Sequence, residues 1–94
     1  MTKNQERIKI TVKLFAAYQE AYNQSEIILE LPENAPVAAV LDHAIASHPE
    51  LEKWRSLTRF GINYQFVSAD TLLKNGDEVV LIPPVSGGNQ NQSV

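Results

Sequence analysis

From Arg7 to Leu14 the chain sets apolar Ile8, Ile10, Val12 and Leu14 against polar Lys9, Thr11 and Lys13, the period of two that predicts a strand with one covered face. "FAAYQEAYNQ" follows, with helix formers and no long apolar stripe. The alternation returns in "SEIILEL", where Ile27, Leu29 and Leu31 face one way and Glu26, Ile28 and Glu30 the other. The two strands are expected to pair as a hairpin around a short helical turn. In "PENAPVAAVLDHAIASHPE" the period lengthens: Val37, Val40, Leu41, Ala44, Ile45 and His48 fall on one helical face. Asn34 is the expected cap and Pro36 sits in the first turn. Pro49 has no N–H to donate and disfavours helical geometry in the residue before it, so the helix should end at His48.

The remaining elements are shorter. "LEKWRSL" predicts a second short turn, "RFGINYQFV" two short strands, and "SADTLLKNGDE" a turn in which Asn75-Gly76 suits positive backbone angles. "EVVLIPP" is apolar at Val79, Val80, Leu81 and Ile82, which predicts a strand at the sheet centre with both faces covered. This order implies an α+β fold, a mixed sheet of four to five strands packed on one main helix. With the first and last strands parallel at the centre, both end on the same sheet edge. Phe15 would then lie beside Ile82 and Pro83.

The 94 residues, 44% of them apolar and 20% charged, match one small globular domain with a thin core and little room for a deep substrate pocket. Residues 1–6 read as an N-terminal arm, 7–84 as the domain, 85–88 as a tail and 89–94 as an extension. A net charge of -3 offers no basic patch for nucleic acid and suits a basic protein partner. No cysteine occurs, which excludes disulfides, thiolate metal sites and a cysteine-borne persulfide. The polar start "MTKNQERIKI" and the lack of an eighteen-residue apolar run argue against a signal peptide or membrane span and for a cytoplasmic protein.

The chemistry concentrates in "IPPVSGGNQNQSV". Pro83 and Pro84 fix two backbone angles and remove two donors, which directs the chain away from the sheet in an extended form. Beyond them Val85 and Ser86 are small, and Gly87 and Gly88 carry no side chain, so this strip could thread a tunnel closed to ordinary residues. A flexible linker is the plain alternative.

The segment "DTLLKNGDEVVLIPPVSGG" closely resembles the C-terminal signature of the MoaD/ThiS family, the ubiquitin-like sulfur carriers that include the small subunit of molybdopterin synthase. The resemblance extends more loosely over about residues 7–88, through "KLFAAYQE" and "INYQFVSADTLL". It implies a β-grasp fold and a terminal glycine, Gly88, adenylated with ATP by an E1-like adenylyltransferase and converted to a thiocarboxylate. It also implies a large synthase subunit that receives the tail and holds the catalytic groups, with no cofactor bound by the carrier itself. Phe15, Gln19 and Ile82 are the expected interface; Gln19 stands where members commonly carry arginine. "NQNQSV" after Gly88 ties the reactive carboxylate into a peptide bond, so a processing protease is expected to cut there. Carriers for thiamine or cysteine synthesis, a protein modifier, and an interaction module that keeps its extension are the alternatives.

Other candidates read more plainly. His43 and His48 are five apart, without the spacing of paired ligands. Asp42 and His43 point apart on a helix, Ser86 has no identifiable base, and "GDE" at 76–78 lacks the oxygen spacing of a cation loop. No metal is expected. Trp54 and Tyr64 should complete the core or cover its rim.

Overall fold

Alternation along Arg7–Leu14 produces β1, whose Ile8, Ile10, Val12 and Leu14 are all buried. The computed structural model describes residues 6–84. After β1 come a short helix α1 (Ala17–Tyr22), β2 (Glu26–Pro32), the main helix α2 (Ala38–Ser47) and a 3₁₀ helix over Pro49–Leu57. Strands β3 (Arg59–Ile62), β4 (Gln65–Val67) and β5 (Glu78–Ile82) complete the order. The sheet runs β2-β1-β5-β3-β4, with β1 and β5 parallel and every other pair antiparallel. This is the expected β-grasp, with five strands and its first and last strands side by side at the centre.

One face of the sheet is covered. Val40, Leu41, Ala44 and Ile45 of α2 join Val12, Leu14, Val79, Leu81 and Phe60 in one core, with Tyr18 and Leu51 closing its end. A core residue of this kind contributes roughly 1.5–3 kcal/mol by leaving water. Trp54 packs against that core, as expected of a rim residue.

Three local expectations need correction. Asn34 does not cap α2: it turns the chain after β2 with φ 68, and the helix begins at Ala38 after Val37. The leading donors are satisfied from a distant loop, Val37 N–H by the Thr71 carbonyl at 2.8 Å and Ala38 N–H by the Ala69 carbonyl at 3.0 Å, so no side-chain cap is required. Pro36 lies ahead of the helix, bridged to Leu72. At the Asn75-Gly76 turn only Gly76 takes a positive φ, 89°; the Asn75 side chain instead accepts the Lys9 N–H at 2.8 Å.

Strand β5 is central, but only one of its faces is sealed. Val79 and Leu81 are buried, whereas Val80 and Ile82 are half-buried on the side that no helix covers. Tyr64 likewise departs from its expected place. It occupies the tip of the β3–β4 hairpin and is 87% exposed.

Candidate functional site at the tail root

Parallel pairing decides where the chain leaves the sheet. Leu14 lies opposite Leu81 in the β1–β5 register, so the next residues, Phe15 and Ile82, stand level at one sheet edge. From that edge Pro83 and Pro84, both half-buried, lead the chain out. Phe15 is 51% exposed and has no place in the core. Its carbonyl accepts the N–H of Tyr18 at 3.0 Å and of Gln19 at 3.4 Å, which starts α1 directly behind it. Gln19 is exposed one turn further on and lines a polar hollow with Ala16 and Glu20. The expected interface residues Phe15, Gln19 and Ile82 are therefore gathered around the root. Val85, Ser86, Gly87 and Gly88 lie outside the described residues.

The uncovered sheet face is divided by charge. Over β1 and β2, Lys13 Nζ meets Glu26 at 2.8 Å, and Arg7 lies 3.9 Å from Glu30. The Glu26 carboxylate holds the Lys13 ammonium above its ordinary range by hydrogen bond and charge. Over the middle of β5, β3 and β4 the same face is apolar, with Glu78 and Arg59 at its two ends. Register places Val80 beside Gly61 and Gly61 beside Phe66, and Phe66 is 74% exposed. Gly61, Tyr64, Gln65, Phe66, Val80 and Ile82 line one shallow trough there. Sequence reasoning missed this surface. The signal was present in the alternation of β5, where Val80 and Ile82 must face opposite to Val79 and Leu81.

The far end of β5 is anchored by polar contacts. Asp77 accepts the Lys74 N–H at 2.8 Å and the Asn63 side-chain amide at 3.1 Å, while Asn63 Oδ1 accepts the Glu78 N–H at 3.0 Å. The "GDE" segment is thus a turn that fixes where β5 starts. Asp42 is engaged by Arg55 at 2.6 Å, and the His48 ring packs edge-on against Tyr22 with centroids 4.5 Å apart. Among the described residues no three metal-binding side chains gather, and no helix is long and apolar enough to cross a membrane.

Comparison with known proteins gives this geometry a family. The sequence pattern of the ThiS family matches residues 12–88. A molybdopterin synthase sulfur carrier subunit from Chlamydomonas reinhardtii is 36% identical over 83 residues, which cover 86% of this chain and 100% of the relative. Two solved structures share the fold. One, described as molybdopterin converting factor subunit 1 from Pyrococcus furiosus, has a TM-score of 0.71 at 29% identity, covering 83% of this chain and 99% of that one. The other, small archaeal modifier protein 1 from Methanosarcina acetivorans, has a TM-score of 0.68 at 31% identity over 88% of this chain and 99% of its own. The chain described here, with its β-grasp sheet and its tail leaving beside Phe15 and Ile82, belongs to the ThiS family of proteins.

Proposed function

We infer that this protein is a cytoplasmic sulfur carrier, the small subunit of a molybdopterin synthase, and that Gly88 becomes its reactive terminus once residues 89–94 are removed. One observation carries the reading: the β1–β5 pairing sets exposed Phe15 and half-buried Ile82 at the edge from which the chain runs to Gly88, the last residue of the family match. The name of the Chlamydomonas relative supplies the pathway.

The chemistry follows from the electrophile. A carboxylate resists attack because its oxygen leaves poorly. An E1-like partner would let the Gly88 carboxylate attack the α-phosphorus of ATP, releasing pyrophosphate, and a sulfur nucleophile would then displace AMP to leave a thiocarboxylate. That sulfur is a stronger nucleophile than the oxygen it replaces. A chain without cysteine can carry sulfur in this way, while acid-base catalysis falls to the large subunit into which the tail inserts. Residues 89–94 would block both steps, since they occupy the carboxylate and add up to about 20 Å of chain.

The deciding experiment offers the full chain and a chain ending at Gly88 to the adenylating partner with ATP and a sulfur source, with intact mass as the readout. Only the shorter chain should gain the mass of an oxygen-to-sulfur exchange; exchange on the full chain, or on neither, refutes the reading. Likeness to an archaeal modifier protein favours one second reading, in which Gly88 forms isopeptide bonds with lysines of other proteins. It would appear as higher-mass conjugates that vanish when Gly88 is deleted.

A further inference from the structure

Asn75 is the only asparagine of the chain that glycine follows; each of the other six precedes a residue with a side chain. Without a Cβ on Gly76, its backbone nitrogen can approach the side-chain carbonyl carbon of Asn75, Cγ, unobstructed. Both residues are exposed, so water and hydroxide reach them, and asparagine is thermolabile through this chemistry. Hydroxide takes the Gly76 N–H proton, the nitrogen bonds Cγ, and Nδ2 leaves as ammonia after taking a proton from water. A cyclic imide results, which water opens at either carbonyl. Attack on Cγ gives aspartate with the chain as before. Attack on the main-chain carbonyl gives isoaspartate, whose chain runs through Cβ and Cγ and is one carbon longer.

The fold opposes the first step. The Gly76 N–H donates to the Lys9 carbonyl at 2.8 Å, and Asn75 Oδ1 accepts the Lys9 N–H at 2.8 Å. The proton that has to leave is thus held by β1, and the side chain that has to turn onto the nitrogen is tied to the same residue. Such bonds are released only as often as the local structure opens. The turn is also closed on itself: the Asp77 N–H donates to the Lys74 carbonyl at 3.1 Å, the Asp77 carboxylate accepts the Lys74 N–H at 2.8 Å, and Gly76 takes φ 89° in the third place, as in a type II turn. A turn closed at both ends has no room for an added main-chain carbon. The Asp77 carbonyl then accepts the Thr11 N–H at 3.0 Å, next to the first β1–β5 pair, Thr11 with Glu78.

We propose that Asn75–Gly76 is a site of spontaneous deamidation that the bonds to Lys9 suppress, and that isoaspartate formed there cannot rebuild the turn from which β5 starts. The aspartyl product differs, because its carboxylate still accepts the Lys9 N–H. Reaction therefore follows opening of the turn, and one of its two products makes that opening permanent. None of this depends on the sulfur-carrier reading.

The experiment holds the full chain in mildly alkaline buffer with and without guanidinium chloride, and follows by peptide mass mapping the exchange of ammonia for water at each asparagine. In denaturant, position 75 should react ahead of every other asparagine. In buffer alone it should react at least about tenfold more slowly. The isoaspartyl form, separated chromatographically after ageing in denaturant and returned to buffer, should fail to refold or melt at least about 4 °C below the unaltered chain. Asn75→Asp, the aspartyl product made directly, should lose less. Rates within tenfold of each other in the two solutions overturn the protection by Lys9, and another asparagine reacting first in denaturant overturns the site. An isoaspartyl form that melts no lower than Asn75→Asp overturns the claim on the turn.

Discussion

The Tyr18 hydroxyl donates a hydrogen bond to Thr58 Oγ1, which in turn donates to the Trp54 carbonyl at 2.9 Å. Tyr18 is fully buried and sits in α1, three residues past Phe15. Thr58 immediately precedes Arg59, which lies opposite Ile82. This buried relay therefore joins the two sides of the tail root, so that the edge from which the chain departs is held by the interior.

The relay predicts an asymmetry. Tyr18→Phe removes one hydrogen bond but leaves Thr58 its bond to Trp54, a loss of about 1 kcal/mol. Thr58→Val leaves the buried Tyr18 hydroxyl without its partner, while the Trp54 carbonyl keeps the Leu57 N–H of the 3₁₀ helix, and should destabilise by roughly 1–3 kcal/mol. Urea unfolding of the two variants measures the difference; the reverse ranking would show that the relay does not run in this direction.

Alkaline pH should weaken the fold through the same region. Burial pushes the Tyr18 and Tyr22 hydroxyls above the ordinary phenol range. In the unfolded chain both titrate near about 10. Below that value their contribution to stability is intact. As pH rises from there through the raised folded values, the unfolded chain releases protons that the folded chain retains, and stability falls. Urea midpoints at pH 8 and pH 11 should show this decline. Tyr18→Phe should flatten it; an equal decline in that variant would remove Tyr18 from the account.

How much of this was legible depends on what sits beside each element. β1 and β2 could be read because one covering layer imposes strict alternation, visible in Ile8, Ile10, Val12 and Leu14. The adjacency of Phe15 and Ile82 followed from strand order, since a strand that closes a ββαβ arrangement beside the first one must share its direction. The start of α2 was misread because its caps come from Ala69 and Thr71, some thirty residues away, which no local pattern reveals. Val80 and Ile82 were misread for another reason. An apolar strand looks the same in sequence whether its second face is covered by its own domain or left open. Gly88 was proposed from a motif and not from periodicity and lies outside the described residues, and the Tyr64 hairpin carried no glycine to mark its tight turn.

Ala16 offers a stabilising change. Its φ of 50° and ψ of -122° belong to backbone that glycine adopts freely and alanine does not. Ala16 is exposed and absent from the core, so Ala16→Gly removes strain without opening a cavity. A gain of about 1 kcal/mol is expected after allowing for the looser unfolded chain, read as a rise in melting temperature of about 4–8 °C. A lower melting temperature would mean that the alanine methyl group contributes more than its backbone strain removes.

Position at the root, and not exposure alone, should determine which apolar residues matter for partner binding. Phe15 and Ile28 are exposed to similar degrees, 51% and 55%, so truncating either should disturb the fold little. They differ in place. Phe15 stands at the edge where the tail departs, whereas Ile28 lies on the outermost strand β2, paired with Thr11 in the charged half of the open face. A protein that takes up the tail must press against the first and has no such need of the second. Phe15→Ala in the chain ending at Gly88 should therefore weaken binding to the large subunit by about 10–100-fold, and Ile28→Ala by less than about twofold. Titration of both variants beside the unaltered chain separates the cases, because equal losses would place the docking surface across the whole sheet instead of around the root.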